Sequence, residues 1–352
     1  MKLAYLADGG SVHTRRWLGH FVDRGHEVHL LSLEPSQVPG VHEHPLARRF
    51  GNKLDYLAAI PRVRRLAQEI RPDLIHAHYA TSYGLLGALC GFRPLIVTAW
   101  GSDILVTPRD SALMARLVGW VLTQADAITS DSEGMTEAIL EMGGRGKTRT
   151  IPLGVPQSLF DPSEAVPRQR AILSLRNLEP QFRVDRLIRA FGLVAARDPL
   201  ARLIIGNRGP ELPSLQALAA SLGLQERVDF VGFQTPSALH RLMRECAVYV
   251  SIPESDATSV TLLEAMALGA FPIVSDLPAN REWIAHGRNG MLVPALTPEA
   301  LADALLAALD ETAFRERAAE ENRELISRKA VWERNMAEVE ALYVELAAKL
   351  NP

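Results

Sequence analysis

The feature that most restricts the fold is an alternation of short, wholly apolar runs with amphipathic stretches, repeated from Lys2 to Val293. Strands that are apolar on both faces need cover on both sides. Helices between successive strands supply it, so the alternation specifies parallel sheets flanked by helices. The first set opens with Lys2–Ala7, turns at Asp8-Gly9-Gly10, runs through a helical Val12–Arg24 and restarts as a strand over Gly25–Leu31. It continues as helix Lys53–Ile70, strand Asp73–Ala77, helix Tyr83–Cys90, strand Leu95–Thr98, helix Ala112–Thr123 and strand Ala127–Thr129. Helix Ser132–Met142, with Ser132 as N-cap, and strand Thr148–Ile151 close it. Residues Ile151–Pro162 are rich in Pro and Gly, have no period and read as a linker. The second set has strands at Ala171–Leu175, Leu203–Gly206, Val228–Val231, Val248–Val250, Phe271–Val274 and Met291–Val293. Beyond Leu301 the pattern is helical and ends in an amphipathic Ala330–Leu350. The expected fold class is α/β: two Rossmann-like, doubly wound domains facing a central cleft, where ligands of such sheets bind.

Composition narrows the function classes. A length of 352 residues suits two domains, and 47% apolar with 22% charged residues describes a globular chain. Cys90 and Cys246 lie far apart in apolar surroundings and read as buried, reduced thiols. No apolar run approaches the ~20 residues needed to span a bilayer. Met1-Lys2 leads straight into a strand, which speaks against a cleaved signal peptide and for a cytoplasmic location. Residues 1–150 carry 17 Lys and Arg against 15 Asp and Glu; the remainder carries 21 against 26. With a net charge of −3 and no interleaving of aromatic and basic residues, nucleic acid is not an expected partner. Arg48, Arg49, Lys53, Arg62, Arg64 and Arg65 gather on or near one helix of the first half. They read either as a solvated helix face or as a patch for peripheral contact with anionic lipid at the inner face of the membrane.

The stretch from Cys246 to Pro294 carries the most chemistry. Pro253–Ser259 is a polar loop between a strand and a helix over Ser259–Leu268, and a helix start offers unpaired N–H groups and a partial positive charge to a phosphate. Asp256 stands in the loop and Glu264 eight residues later, about two turns into the helix. Carboxylates for hydroxyl groups beside amides for phosphate suit a nucleotide sugar. The run Asp256-Ala257-Thr258-Ser259-Val260-Thr261-Leu262-Leu263-Glu264-Ala265-Met266-Ala267-Leu268-Gly269 resembles the acidic-x7-Glu motif of family-4 retaining glycosyltransferases of GT-B fold. Its second half matches closely. Its first half has Asp for Glu and lacks the two loop glycines.

The resemblance implies a GT-B fold with an acceptor-side domain over 1–155, a donor domain over 156–328 and a C-terminal helix over 329–352 that returns to the first domain. It implies that Glu264 binds the donor ribose, that Asp256 binds the sugar ring, and that the backbone of Ala257, Thr258, Ser259 and Val260 meets the phosphate. Thr258 or Ser259 also reads simply as the helix N-cap. Arg176 and Arg183 stand where the family places two cations on the diphosphate, which would offset the charge that develops as the sugar–phosphate bond breaks. Arg183 also reads as an ordinary surface arginine. Gly9 and Gly10 occupy the family's Gly-rich loop near the diphosphate; the absence of a third glycine argues against a nicotinamide site. Thr98-Ala99-Trp100-Gly101-Ser102-Asp103 stands where many members have Thr-x-His-Gly-x-Asp, so Trp100 replaces a histidine beside the reacting sugar and reads as a stacking platform or as core. Asp103 is a candidate acceptor or sugar contact, and His13 is a candidate acceptor-side or phosphate contact. His76 and His78 share a strand face, with His78 taken as lining the acceptor side; no third ligand follows for a metal. Asn280–Trp283 and Asn289-Gly290 match loop positions of the family, with Glu282 as a structural contact.

The expected activity is therefore retaining, metal-independent transfer from a nucleoside-diphosphate sugar, such as a UDP- or GDP-sugar, to a glycan, lipid-linked or small-molecule acceptor, without a further cofactor. A nucleotide-sugar epimerase on the same scaffold and a non-catalytic partner of a transferase pair are the rival readings.

Overall fold

The computed structural model describes residues 1–161, 166–294 and 297–350. Pro162, at the end of the expected linker, and residues 351–352 of the expected C-terminal helix domain lie outside these. The chain divides into two units, one comprising Met1–Ile151 with the chain from Ala337 onward, the other Pro152–Met336.

In the first unit, β1 (Lys2–Leu6), β2 (Glu27–Ser32), β3 (Val41–Pro45), β4 (Leu74–His78), β5 (Leu95–Thr98), β6 (Ala127–Ser130) and β7 (Lys147–Thr150) form a sheet in the order β3-β2-β1-β4-β5-β6-β7. All pairs are parallel. Central strands are buried along their whole length, with Leu3, Leu6, Ile75, Ala77, Ile96 and Val97 fully enclosed. That explains their continuous apolar runs. In the second unit, β8 (Gln169–Ser174), β9 (Arg202–Gly206), β10 (Val228–Gly232), β11 (Cys246–Ser251), β12 (Phe271–Ser275) and β13 (Met291–Val293) pair in parallel in the order β10-β9-β8-β11-β12-β13. Each strand order reverses once, between β1 and β4 and between β8 and β11. Loops leaving neighbouring strands diverge there and open a crevice at the strands' carboxyl ends.

Four elements of the first unit depart from the sequence expectation. β3, with sequence VHEHP, has no apolar alternation because it is an exposed edge strand. Its register with β2, Val28 opposite Val41, holds it in place, and the His29 and His42 rings stack at 4.8 Å. A π-helical turn, Tyr79–Tyr83, precedes the helix Gly84–Cys90. Short helices Ser102–Leu105 and Thr107–Asp110 follow β5, where no element was expected. Ser132 does cap its helix, its hydroxyl accepting from the Met135 N–H at 3.3 Å. Cys90 and Cys246 are buried free thiols.

The last helix, Trp332–Leu350, contributes to the first unit from Ala337 onward. Met336, Val339, Leu342, Tyr343 and Leu346 form its buried stripe, at the spacing of one helix face. The Tyr343 hydroxyl lies 2.5 Å from His76 Nδ1 and 3.2 Å from the Tyr5 hydroxyl, and accepts from Trp17 Nε1 at 3.3 Å. Among the described residues no helix is long and apolar enough to cross a membrane.

Candidate active site

In the second unit the site residues gather where the strand order reverses. Arg176 leaves the end of β8, and the loop from Ile252 to Ser259 leaves the end of β11. Arg176 Nη2 lies 3.0 Å from Asp256 Oδ2, with the two side chains 13% and 19% exposed. Its Nη1 donates to Ser259 Oγ at 2.8 Å, and its guanidinium lies 4.4 Å over the Phe182 ring. A hydroxyl chain continues inward: Ser259 Oγ is 3.0 Å from Thr261 Oγ1, which is 2.9 Å from the Tyr249 hydroxyl. Burial pushes the Asp256 carboxyl up, while Arg176 and the Ala257 N–H pull it down less strongly. The Arg176 guanidinium holds the Asp256 side chain in place.

Helix Val260–Ala267 starts immediately after this cluster, with Ser259 at its N-cap position. The Ser259 hydroxyl does not cap it, being engaged by Arg176 and Thr261, which corrects the N-cap reading for that residue. The first intrahelical bonds are those of Leu262 and Leu263 to the Ser259 carbonyl. The N–H groups of Val260 and Thr261 therefore have no intrahelical acceptor and are available to an anion. Arg183 follows the turn Pro180–Phe182 in a left-handed conformation (φ 54°) and forms an ion pair with Glu254. The Glu254 N–H donates to the Gln181 carbonyl at 3.0 Å, so the loops after β8 and β11 are tied together and Arg183 is brought to the same end of the sheet.

Glu264 is 14% exposed among buried Leu262, Leu263, Ala265 and Met266, one helical turn beyond Thr261. Its Oε1 lies 3.4 Å from His240 Nε2, on helix Pro236–Glu245. Sequence reasoning missed His240. It sits beside Leu239 and Met243 on the inner stripe of its helix, but only packing decides that this stripe meets Glu264. Asn289 is also more than a loop match: its side chain bonds the Ala285 N–H, the Trp283 carbonyl and Asn322 at 2.7–2.8 Å.

In the first unit the corresponding reversal lies between β1 and β4. Gly9 is required by packing: a Cβ there would lie 2.3 Å from the Glu34 carbonyl oxygen. Its N–H donates to Ser32 Oγ at 3.1 Å, and the Gly10 N–H donates to Asp8 Oδ1 at 2.9 Å. Both amides of the expected Gly-rich loop thus have an acceptor within the first unit. Asp103 is enclosed within the first unit. It is 1% exposed, and its oxygens accept from the Ala80 N–H at 2.7 Å and the Trp100 N–H at 3.0 Å. Asp103 instead ties the turn after β4 to the loop after β5. Burial raises its carboxyl despite these donors.

His78 ends β4 fully enclosed, and neither ring nitrogen has a hydrogen-bond partner. Burial, with His13 nearby, lowers it to about 3, so it is neutral near pH 7. Its ring lies 5.3 Å from that of Trp100, which is 5.4 Å from exposed His13 and 6.0 Å from Tyr79. Trp100 Nε1 is also buried without a partner. His78 therefore does not line an open surface; it supports Trp100 from beneath, and Trp100 and His13 are the outer members. His76 has both nitrogens engaged, by Tyr343 and by Thr98 Oγ1 at 2.6 Å. Among the described residues no group of three or more His, Cys, Asp or Glu side chains is arranged for a metal ion.

Two family descriptions match the chain: "Glycosyl transferase 4-like" over residues 2–132 and "Glycosyl transferases group 1" over residues 157–325. The chain is a group 1 glycosyltransferase. Similar curated proteins include the N-acetyl-alpha-D-glucosaminyl L-malate synthase of Bacillus anthracis, 24% identical over 97% of this chain and 95% of that protein. The D-inositol 3-phosphate glycosyltransferase of Nocardia farcinica is 28% identical over 68% of this chain and 59% of its own length. Among solved structures, Anabaena Alr3699/HepE in complex with UDP and glucose superposes with a TM-score of 0.80 at 20% identity, covering 97% of this chain and 99% of that one. The sucrose-phosphate synthase of Thermosynechococcus elongatus does so at 0.82 and 18%, covering 99% of each. This glycosyltransferase accordingly has the two-domain, Rossmann-like GT-B fold, and it is a transferase enzyme.

Proposed function

We propose that the enzyme transfers a sugar from a nucleoside diphosphate to an alcohol acceptor with retention at the anomeric carbon. The observation that carries this reading is Arg176, braced by Asp256 and Ser259 at the strand-order reversal and at the start of helix Val260–Ala267. A diphosphate there meets Arg176, Arg183 and the amides of residues 258–260. Asp256 receives sugar hydroxyl groups, and Glu264 receives those of the ribose. Glu264 and Asp256 flanking an anion site is the arrangement a donor of this class requires, and UDP-sugars are the first candidates because a structure of the same fold was solved with UDP and glucose.

In the reaction the bond from the anomeric carbon to the diphosphate oxygen breaks, and the acceptor oxygen bonds to that carbon on the same face. The acceptor proton passes to the leaving phosphate. Two arginines and a helix start stabilise the charge that builds there, and positioning supplies the rest. These groups supply positive charge in place of a metal, so turnover is expected to persist in EDTA. His13 and Trp100 of the first unit contact the acceptor, which is a glycan, a lipid-linked sugar or a small molecule. A cytoplasmic setting fits a nucleotide-sugar donor. Arg48, Arg49 and Lys53 beside exposed Phe50 (59%) and Leu54 (52%) support peripheral contact with anionic lipid. Co-sedimentation with phosphatidylglycerol vesicles that survives Arg48→Glu/Lys53→Glu would remove that part of the reading.

The donor assignment is tested by thermal shift across UDP-, GDP- and ADP-sugars, followed by turnover of the best donor with candidate acceptors. Glu264→Ala is expected to abolish the shift. A variant that still binds and turns over the donor as the parent does would overturn the assignment.

A further inference from the structure

Three arginines of the second unit meet at the end of its sheet opposite Arg176 and Asp256. Arg168 precedes β8, Gly269 precedes β12, and the six residues of β8 put about 20 Å between this end and the donor residues. A Cβ on Gly269 would lie 2.8 Å from Arg168 Nη2 and 3.6 Å from Arg323 Nη2, so two guanidinium groups converge on one point. Arg315 joins them along a cavity of about 570 Å³ that Arg168 and Gly269 also line. A second cavity of about 320 Å³ shares Arg168 and is lined by Arg323.

These arginines are held by carbonyl oxygens. Arg168 donates to Met243 O, Cys246 O and Leu268 O; Arg315 donates to Ala308 O, Leu309 O and Thr312 Oγ1; Arg323 Nε donates to Ala267 O. Arg170, Arg176, Arg183, Arg202 and Arg281 of the same unit each meet a carboxylate. Arg168, Arg315 and Arg323 form no ion pair with a described residue. Burial, with the charges of Arg323 and Arg315 close by, lowers Arg168 to about 10. A guanidinium has five N–H donors, and Arg315 Nε is buried with no acceptor. Clamping helix ends accounts for the carbonyl bonds. It does not account for three convergent cations that line two cavities while, among the described residues, no carboxylate forms an ion pair with any of them, an arrangement that suits a phosphate.

We propose that this end of the second unit binds a small phosphate-bearing anion through Arg168, Arg315 and Arg323, at a site separate from the one assigned to the donor. Exposed Glu316 lines both cavities and opposes an anion there, so its neutralisation should tighten binding.

The test titrates inorganic pyrophosphate into the full-length enzyme by calorimetry at constant ionic strength. Exposed Arg323→Gln should weaken binding about tenfold, and Glu316→Gln should tighten it several-fold. Arg176→Gln should leave one binding event of undiminished affinity. Arg315→Gln removes ties to the preceding helix and serves only if its unfolding midpoint is kept; the two exposed variants decide without it. Absence of pyrophosphate binding, or binding that Arg176→Gln abolishes while Arg323→Gln and Glu316→Gln leave it unchanged, would overturn the proposal.

Discussion

Replacing Arg176 separates a structural brace from a donor contact. Arg176→Gln removes the cation 3.0 Å from Asp256 and leaves that carboxylate enclosed. Breaking a fully buried pair this way costs about 3–5 kcal/mol. Here both partners keep some solvent, 13% and 19%, and Asp256, whose carboxyl is already raised by burial, escapes by taking a proton. The loss should therefore be about 2 kcal/mol. Asp256→Asn leaves Arg176 with Ser259 and the Phe182 ring and should cost about 1 kcal/mol. The double variant removes both charges and should be no less stable than Asp256→Asn alone, a coupling of about 2 kcal/mol. Activity should behave differently. Loss of a cation that stabilises the leaving diphosphate lowers kcat/KM about 100-fold, about 2.7 kcal/mol, and removing Asp256 as well cannot restore it. Urea unfolding of the four proteins and steady-state kinetics with the best donor give both quantities. If the double variant recovers turnover along with stability, Arg176 only neutralises Asp256, and the diphosphate assignment fails.

Tyr343→Phe should destabilise the first unit by about 2–3 kcal/mol, because His76 Nδ1, Trp17 Nε1 and the Tyr5 hydroxyl lose a shared buried partner; a change below 0.5 kcal/mol in urea unfolding would show the network to be slack. Burial lowers His78 to about 3 and His76 well below its usual value, so below pH 6.5 the unfolded chain binds protons that the folded chain refuses. Their contribution is complete above pH 6.5 and falls as pH drops toward the folded values, by about 1.4 kcal/mol per pH unit for each ring. His78→Leu should remove one such increment from the acid limb of a stability–pH curve, and an unaltered slope would contradict it. His240→Ala should raise the donor KM about threefold with little change in kcat, by freeing the Glu264 carboxylate 3.4 Å away, and His240→Gln should recover much of it. Equal KM values for all three proteins would leave His240 with no positioning role.

Much of the fold could be read along the chain because parallel strands buried on both faces leave continuous apolar runs. β1, β4, β5, β8, β11 and β12 all sit within a residue or two of their expected positions. β3 escaped because an exposed edge strand carries no such run. The π turn at Tyr79–Tyr83 and the short helices after β5 escaped because Asp103 grips the Trp100 amide and, across 23 residues, the Ala80 amide. The site divides similarly. Arg176, Asp256, Ser259 and Glu264 belong to loops and a helix start whose order along the chain implies their role. Gly9, Asp103 and His78 have residue types that suit a ligand, but Gly9 and Asp103 meet Ser32 and Ala80 from distant segments, and His78 is enclosed by packing.

By itself, then, the sequence determined two parallel α/β units, the polar loop opening onto the helix at Val260, and the acidic and basic residues arrayed around it. Those follow from periodicity and local spacing, which backbone geometry converts directly into structure. The tertiary structure alone decided that Arg176 closes on Asp256 and Ser259, that His240 meets Glu264, and that Tyr343 completes a hydrogen-bond hub begun at Tyr5 and His76. It also decided that Asp103 and His78 are enclosed. Hydrogen bonds and burial between residues far apart in the chain depend on how strands are ordered and which helix faces meet, and no local pattern encodes either.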